Sequence, residues 1–407
     1  MRVLVCSPCL TFQADSPYST RMRALAMKSA GLDVTVMAYP DAYPLSDQEL
    51  GVPYVGLFSE ISATRARIVR FLLSALGAYW QFTGEPYVVM RAACRKAQRE
   101  KFDICFVADV EPYVTLWLCL MLRLRRYPVP LAGGIPGNYG TTATKLIGFR
   151  TVVRNGLNFR LSRHVPRFMD VVLTTRHVME SLRLPQAGRS HVIPEGHEDR
   201  LGTRSREAAR RALDIPPEPR MILLFGVASK GKGPDLLLRA LKQVPPTFLV
   251  YLVGRTGGVY DPVWGDLREL QGTGWEGRVH MVGRHVSDDE MHNYYAACDA
   301  VVIPYRYGTT GTVTHLRRAI EYGKAVIGCD QFHIGERVRE HGLGLVFKTE
   351  DVESLAASLR EFAGKDQPWF DQCRDNGRPL VRDESWEAVG RMYRELFERM
   401  LARRSKS

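Results

Sequence analysis

The residues best placed to do chemistry stand between 226 and 234, where Gly226, Lys230, Gly231, Lys232, Gly233 and Pro234 follow a short apolar run. Glycines let a backbone turn tightly and approach a ligand, and lysines bring positive charge, so this combination is suited to holding phosphate. Gly226, Gly231 and Lys232 keep the GxxxxGK spacing of a triphosphate-binding loop. Gly233, however, stands where such a loop needs a Ser or Thr hydroxyl for Mg²⁺, so a P-loop NTPase or kinase centred on Lys232 lacks its metal ligand. The other reading needs no metal. Loop amides and the N-terminus of the following helix, with Lys230 and Lys232 beside them, hold a diphosphate.

Other candidates surround this loop. Gly254 and Arg255 close one apolar strand, and Pro304 and Tyr305 another. Thr309, Thr310, Gly311 and Thr312 open a helix whose unsatisfied N–H groups can face a phosphate, with Arg318 and Glu321 further along it. In the first half, Asp109 and Glu111 follow a buried strand, where a carboxylate either takes the proton of an acceptor hydroxyl or caps a helix. Asp15 and Arg21, and Asn138 in a glycine-rich loop beginning at Gly133, are candidates for holding an acceptor. His164, His191, His197, His315 and His333 show no paired ligand spacing, so each reads as a polar surface or core residue and no metal site is expected. Cys6 and Cys9 have no second pair and read as structural thiols.

The elements that must position these residues follow two strand-helix series. Strand 3–5, a helix started by Ser16 and Pro17, and strand 33–37 make a βαβ unit, which implies a parallel sheet. Strands over 104–107, 171–174 and 191–193 extend it. The second series has strands over 221–225, 249–253, 280–282, 300–304 and 325–328, with helices over 235–242, 288–297, 313–322 and 351–362. The charged, proline-rich stretch 199–219 places the domain change near residue 205. Domains of 1–205 and 206–383 follow, with a terminal helix in 384–407 packing back on the first. Ligands of doubly wound sheets bind at the carboxyl ends of the strands, so the natural site is a central cleft that the two domains face.

The order of these motifs resembles the family 4 glycosyltransferases of the GT-B fold. Lys230 to Lys232 with the helix DLLLRAL, Val253 to Arg255, the strand and helix from Val279 to Asp299, and Gly323 to Ile327 carry the likeness, clearly over 206–365 and faintly over 1–205. The resemblance implies two Rossmann-like α/β domains, a nucleoside-diphosphate sugar donor, a glycan or lipid-linked acceptor, retention of configuration, and no metal or other cofactor. Lys232 takes the position of the lysine on the donor diphosphate, and Lys230 supplies the charge missing at Val227. Departures are definite. Thr310 and Arg318 stand where the family carries paired glutamates, with Glu321 a partial substitute, and Val110 stands where it carries a histidine. A catalytically silent homologue acting as a binding partner is therefore the alternative.

Composition narrows the setting. The 407 residues are enough for two domains, and 45% hydrophobic with 25% charged residues describes an ordinary globular chain. Of the net charge of +12, nearly all belongs to the first half: residues 1–205 hold 26 Lys and Arg against 16 Asp and Glu, the remainder 30 against 28. That half should face an anionic partner. The segment with Arg65, Arg67, Arg70, Trp80 and Phe82 suits a helix lying in a membrane interface, or a buried helix with arginines at one end. The opening MRVLVCSPCL is too short an apolar run for a secretory signal, and no stretch is apolar enough to span a bilayer. The expectation is a cytoplasmic chain at the inner face of the membrane. Nucleic acid is not an expected partner, because no compact recognition motif accompanies the charge.

Overall fold

Strand β1 (Arg2–Ser7) sends Val3 and Val5 into one apolar cluster and Leu4 and Cys6 into another, as a strand covered on both faces must. The computed structural model describes residues 1–7, 15–38, 51–56, 90–108, 110, 112–124, 127–135, 156–157, 159–184, 188–226, 229–255, 267–307 and 314–405. They divide into two compact units. The first takes in Met1–Gly140, Val153–Gly196 and Trp386–Ser407, the second His197–Ser385.

In the first unit, β2 (Asp33–Ala38), β3 (Tyr54–Gly56), β4 (Ile104–Val107), β5 (Leu131–Gly134), β6 (Asp170–Leu173) and β7 (Ser190–Val192) join β1 in one parallel sheet ordered β3-β2-β1-β4-β5-β6-β7. Helix α1 (Asp15–Ser29) and the terminal helix (Trp386–Ser405) cover the face of Val3 and Val5, where Tyr393 meets the Phe106 ring edge-on at 5.3 Å. The other face packs on α2, described over 90–99, and α3 (Pro112–Leu124). Gly133 and Gly134 correct a sequence expectation: they end β5 instead of belonging to a loop. A Cβ on Gly134 would lie 2.5 Å from the Ala108 carbonyl oxygen, so glycine here marks close passage beside a neighbouring chain segment.

The second unit holds β8 (Met221–Phe225), β9 (Leu249–Val253), β10 (Val279–Val282), β11 (Ala300–Ile303), β12 (Ala325–Cys329) and β13 (Gly344–Phe347), all parallel and ordered β10-β9-β8-β11-β12-β13. Their apolar runs are buried between helices that include α4 (Pro234–Leu241), α5 (Asp288–Ala297) and α6 (Thr314–Glu321). A capping box of Ser287 and Glu290 starts α5. This is the doubly wound order of a Rossmann sheet, reversing between β8 and β11.

The unit boundary also departs from expectation. It falls at Gly196 and His197, upstream of residue 205, because 197–204 is bound into the second unit. The Glu198 amide donates to Glu321 Oε1 at 2.9 Å, and Arg204 donates to Asn293 Oδ1 at 2.7 Å. Among the described residues no helix is long and apolar enough to cross a membrane, and seven cysteines are buried and free.

Candidate functional site

A doubly wound sheet leaves most room beyond the carboxyl ends of its strands where the strand order reverses. In the second unit, β8 leads there into Gly226 and β11 into Pro304, Tyr305 and Arg306. Gly226 takes a φ of +108°, and a Cβ on it would lie 2.3 Å from Lys232 Nζ and 2.9 Å from His315 Nε2. The lysine ammonium thus occupies the space that any side chain at 226 would need.

Lys230–Lys232 form one 3₁₀ turn between Ser229 and Gly233. Gly233 is left-handed, with φ +66°, and a Cβ on it would sit 2.0 Å from the Pro304 carbonyl oxygen. Neither the conformation nor the space admits the Ser or Thr of a triphosphate loop, and Pro234 starts α4 immediately afterwards. Arg306 secures the turn. Its guanidinium reaches Asp235 in bidentate fashion at 2.7 and 2.6 Å and also donates to the Lys230 carbonyl at 2.7 Å, while its amide donates to Gly231 O at 2.8 Å. Gln331 Nε2 then donates to the carbonyls of Tyr305 and Arg306, both at 2.9 Å.

Lys232 is aimed from its other side. Its ammonium lies 3.0 Å from His315 Nε2, and His315 Nδ1 lies 2.9 Å from the Tyr295 hydroxyl on α5. Burial, then the positive charges of Lys232, Arg318 and Arg317, hold the His315 ring well below its ordinary pKa of 6.5. A neutral ring beside an ammonium must accept at Nε2, which puts its proton on Nδ1, facing Tyr295. The Arg318 guanidinium lies 5.9 Å from the Tyr295 ring centroid, so a second cation borders the same place.

This buried neutral histidine has a measurable consequence. With the folded pKa depressed, the stability it confers is present above pH 6.5 and is lost as pH falls, because the unfolded chain takes up the proton and the folded one does not. Each such group contributes a slope of about 1.4 kcal/mol per pH unit. His280 and His292, also depressed by burial, act in the same direction. Denaturant titrations between pH 8 and 5, a window set by the ordinary histidine value, should therefore show a shallower loss for His315→Asn than for the wild type; equal slopes would refute the neutral ring.

The structure brings together Gly226, Lys232, Gly233, Pro304, Tyr305 and Arg318 of the sequence candidates, with Gly254 beside them: a Cβ on Gly254 would touch the Gly226 carbonyl oxygen at 2.1 Å. Lys230, the first residue of the turn, and Arg255, after β9, are exposed. Glu321 is a correction. It is 3% exposed and turned into the scaffold, bonded to the Glu198 amide and, at 2.5 Å, to Arg317. Burial raises its pKa. Arg21 is exposed on α1, and Asp15 begins that helix. Asp109, Glu111, Asn138, Thr309, Thr310, Gly311, Thr312, Arg65, Arg67, Arg70, Trp80 and Phe82 lie outside the described residues, as does the side chain of Asp15. No cluster of three metal-ligating side chains occurs among the described residues. Sequence reasoning missed Asp235, Tyr295, Arg306 and His315. Only Asp235 carried a local signal, its place in the first turn of a helix.

Comparison with known proteins places this geometry. Residues 205–378 match the glycosyl transferases group 1 family. A D-inositol 3-phosphate glycosyltransferase of Nocardioides sp. is 27% identical over 210 residues, which are 48% of this chain and 45% of that protein. The chain spans about half the length of the curated relatives it matches. Sucrose-phosphate synthase from Thermosynechococcus elongatus superposes with a TM-score of 0.72 at 18% identity, covering 98% of this chain and 99% of the other. HepE from Anabaena in complex with UDP gives 0.70 at 16% identity, covering 98% and 100%. At these identities the structural likeness speaks for the fold. The second unit thus matches the glycosyl transferases group 1 family, and the two Rossmann-like units have the GT-B fold.

Proposed function

We propose that this chain transfers a sugar from a nucleoside-diphosphate sugar to a glycan or lipid-linked acceptor at a membrane surface, with retention of configuration. The observation that carries the reading is the Lys232 ammonium, set over Gly226 at the reversal of the second sheet and aimed by His315. When the sugar leaves, negative charge grows on the diphosphate; a cation already fixed there stabilises that state without reorganisation. Arg318 and the amides of the Lys230–Lys232 turn add to the same field, so the counter-charge is supplied by protein groups. The HepE structure, solved with UDP, and the D-inositol 3-phosphate glycosyltransferase, named for a phosphorylated acceptor, are consistent with this donor and with an anionic acceptor for the basic first unit. Asp109 and Glu111 follow β4, at the order reversal of the first sheet, and are the groups proposed to take the acceptor proton. The basic surplus of the first half supports a location at the inner face of the cytoplasmic membrane.

A thermal-shift panel of UDP, GDP, ADP, CDP and their common sugars, run without metal, tests the donor site. A ligand at about 100 times its Kd should stabilise by about 2.7 kcal/mol, a rise of several degrees. Stabilisation by one nucleotide family supports the reading. No shift with any of them would leave the chain a silent homologue that binds partners without using a donor.

A further inference from the structure

The first unit holds a cavity of about 510 Å³ at the amino ends of its strands, away from the loops that follow β1 and β4. Leu131 and Asp170, the first residues of β5 and β6, lie in its wall. Four arginines border it: Arg167, Arg189, Arg403 and Arg404. Its floor is apolar, made by Leu122 of α3, Phe168, Met400 of the terminal helix and the ring of Tyr127, whose hydroxyl donates to the Cys94 carbonyl at 2.8 Å. A second cavity of about 200 Å³ shares Leu122 and Tyr127 with it and adds Arg91 and Arg95. The two adjoin at this shared wall, which makes a groove lined by apolar side chains and by arginines.

Charge accounting makes the groove unusual. Asp170 is the sole carboxylate among the described lining residues; it is 4% exposed and already committed to His191 Nε2 at 2.8 Å and to Arg403. Arg167, Arg189 and Arg404 face the groove with no acidic lining residue left to neutralise them. Beside it, α3 exposes a second feature. Trp117 and Leu120, one helical turn apart, are 56% and 41% exposed, while Leu118 and Leu122 of the same helix line the groove. An exposed indole beside a leucine, next to clustered guanidinium groups, is the chemistry of a lipid-water boundary.

We propose that this groove takes the phosphate headgroup of an anionic phospholipid from a bilayer surface. Arg167, Arg189 and Arg404 bind the phosphate oxygens, the lipid stem lies on Phe168, Met400 and Leu122, and Trp117 and Leu120 enter the interface. Guanidinium forks match phosphate geometry, and the cavity volume is that of a small-molecule site. A free inorganic phosphate would use neither the apolar floor nor the two exposed side chains, which is why a bilayer is the source. The inference rests on the membrane location proposed above and is independent of the donor chemistry.

Vesicle flotation decides it. The full chain is mixed with vesicles of phosphatidylcholine alone or with phosphatidylglycerol added, and a double variant Arg167→Glu, Arg189→Glu is compared with Arg391→Glu, Arg399→Glu. The latter pair, on the terminal helix and outside the lining of the groove, changes net charge equally. The wild type should float only with phosphatidylglycerol. The groove variant should lose about tenfold or more of that binding, and the control less than about twofold. Trp117→Ser with Leu120→Ser should weaken flotation while leaving its salt dependence unchanged. Equal losses for groove and control variants would overturn the groove in favour of general charge. A groove variant that floats like wild type would overturn it while the membrane location stands. Wild type that never floats would remove both, with nucleotide stabilisation still judging the donor site separately.

Discussion

Lys232→Ala is expected to lower kcat/KM of the proposed transfer by about 10²–10³-fold, the usual effect of removing one preorganised group from a developing charge. The same variant should lose the nucleotide-induced rise in unfolding midpoint. Its stability without ligand should stay within about 0.5 kcal/mol of wild type, because the side chain ends beside the sheet and not within the core. Lys232→Arg separates charge from placement. The Nζ atom lies 2.3 Å from where a Cβ on Gly226 would be and 3.0 Å from His315 Nε2, so a longer, planar guanidinium cannot sit there. It should restore part of the nucleotide binding and little of the rate. Steady-state kinetics beside the thermal-shift panel reads both. A wild type stabilised by nucleotide but without turnover, together with an alanine variant that binds as well, would put the phosphate elsewhere.

That Lys232 was legible and its supports were not has a physical reason. A glycine-rich turn between a buried strand and a helix is a local pattern, and 226–234 displays it within nine consecutive positions. His315 reaches Lys232 across 83 residues and Arg306 reaches Asp235 across 71, so neither contact leaves a spacing to find. In sequence, His315 is one polar residue in the first turn of a helix. The folded chain makes it a buried neutral ring because β8 and β11 are neighbours in the sheet.

The central strands were equally plain, since β8, β9 and β11 are continuous buried runs bounded by glycine or proline. Shorter strands escaped notice. Tyr54–Gly56 has three residues at the edge of the sheet, and Leu131–Gly134 ends in two glycines that read as a loop until the neighbouring chain is seen pressing against them. Glu321 went astray differently. Its spacing from Arg318 puts it on a neighbouring helical face, which is correct, but spacing cannot show that this face is turned toward the segment after His197.

The pair Asp235–Arg306 should give the largest stability effect in the second unit. Both residues are more than nine-tenths buried, and each satisfies the other with two hydrogen bonds while Arg306 also holds the Lys230 carbonyl. Asp235→Ala leaves a guanidinium buried without its counter-charge, a change that costs about 3–5 kcal/mol. The paired replacement Asp235→Leu with Arg306→Met removes both charges and should recover much of that stability, since no buried charge is then left unpaired. It should not recover function. Without Arg306 the Lys230–Lys232 turn loses the side chain that spans its carbonyl and the start of α4, so Lys232 is no longer held against His315, and nucleotide affinity should fall with stability restored. Chemical denaturation and nucleotide titration of the single and double variants separate the two effects. If the double variant recovers stability and binds nucleotide like wild type, the turn does not depend on this pair, and the site would have to be held by Gly233 and Pro304 alone.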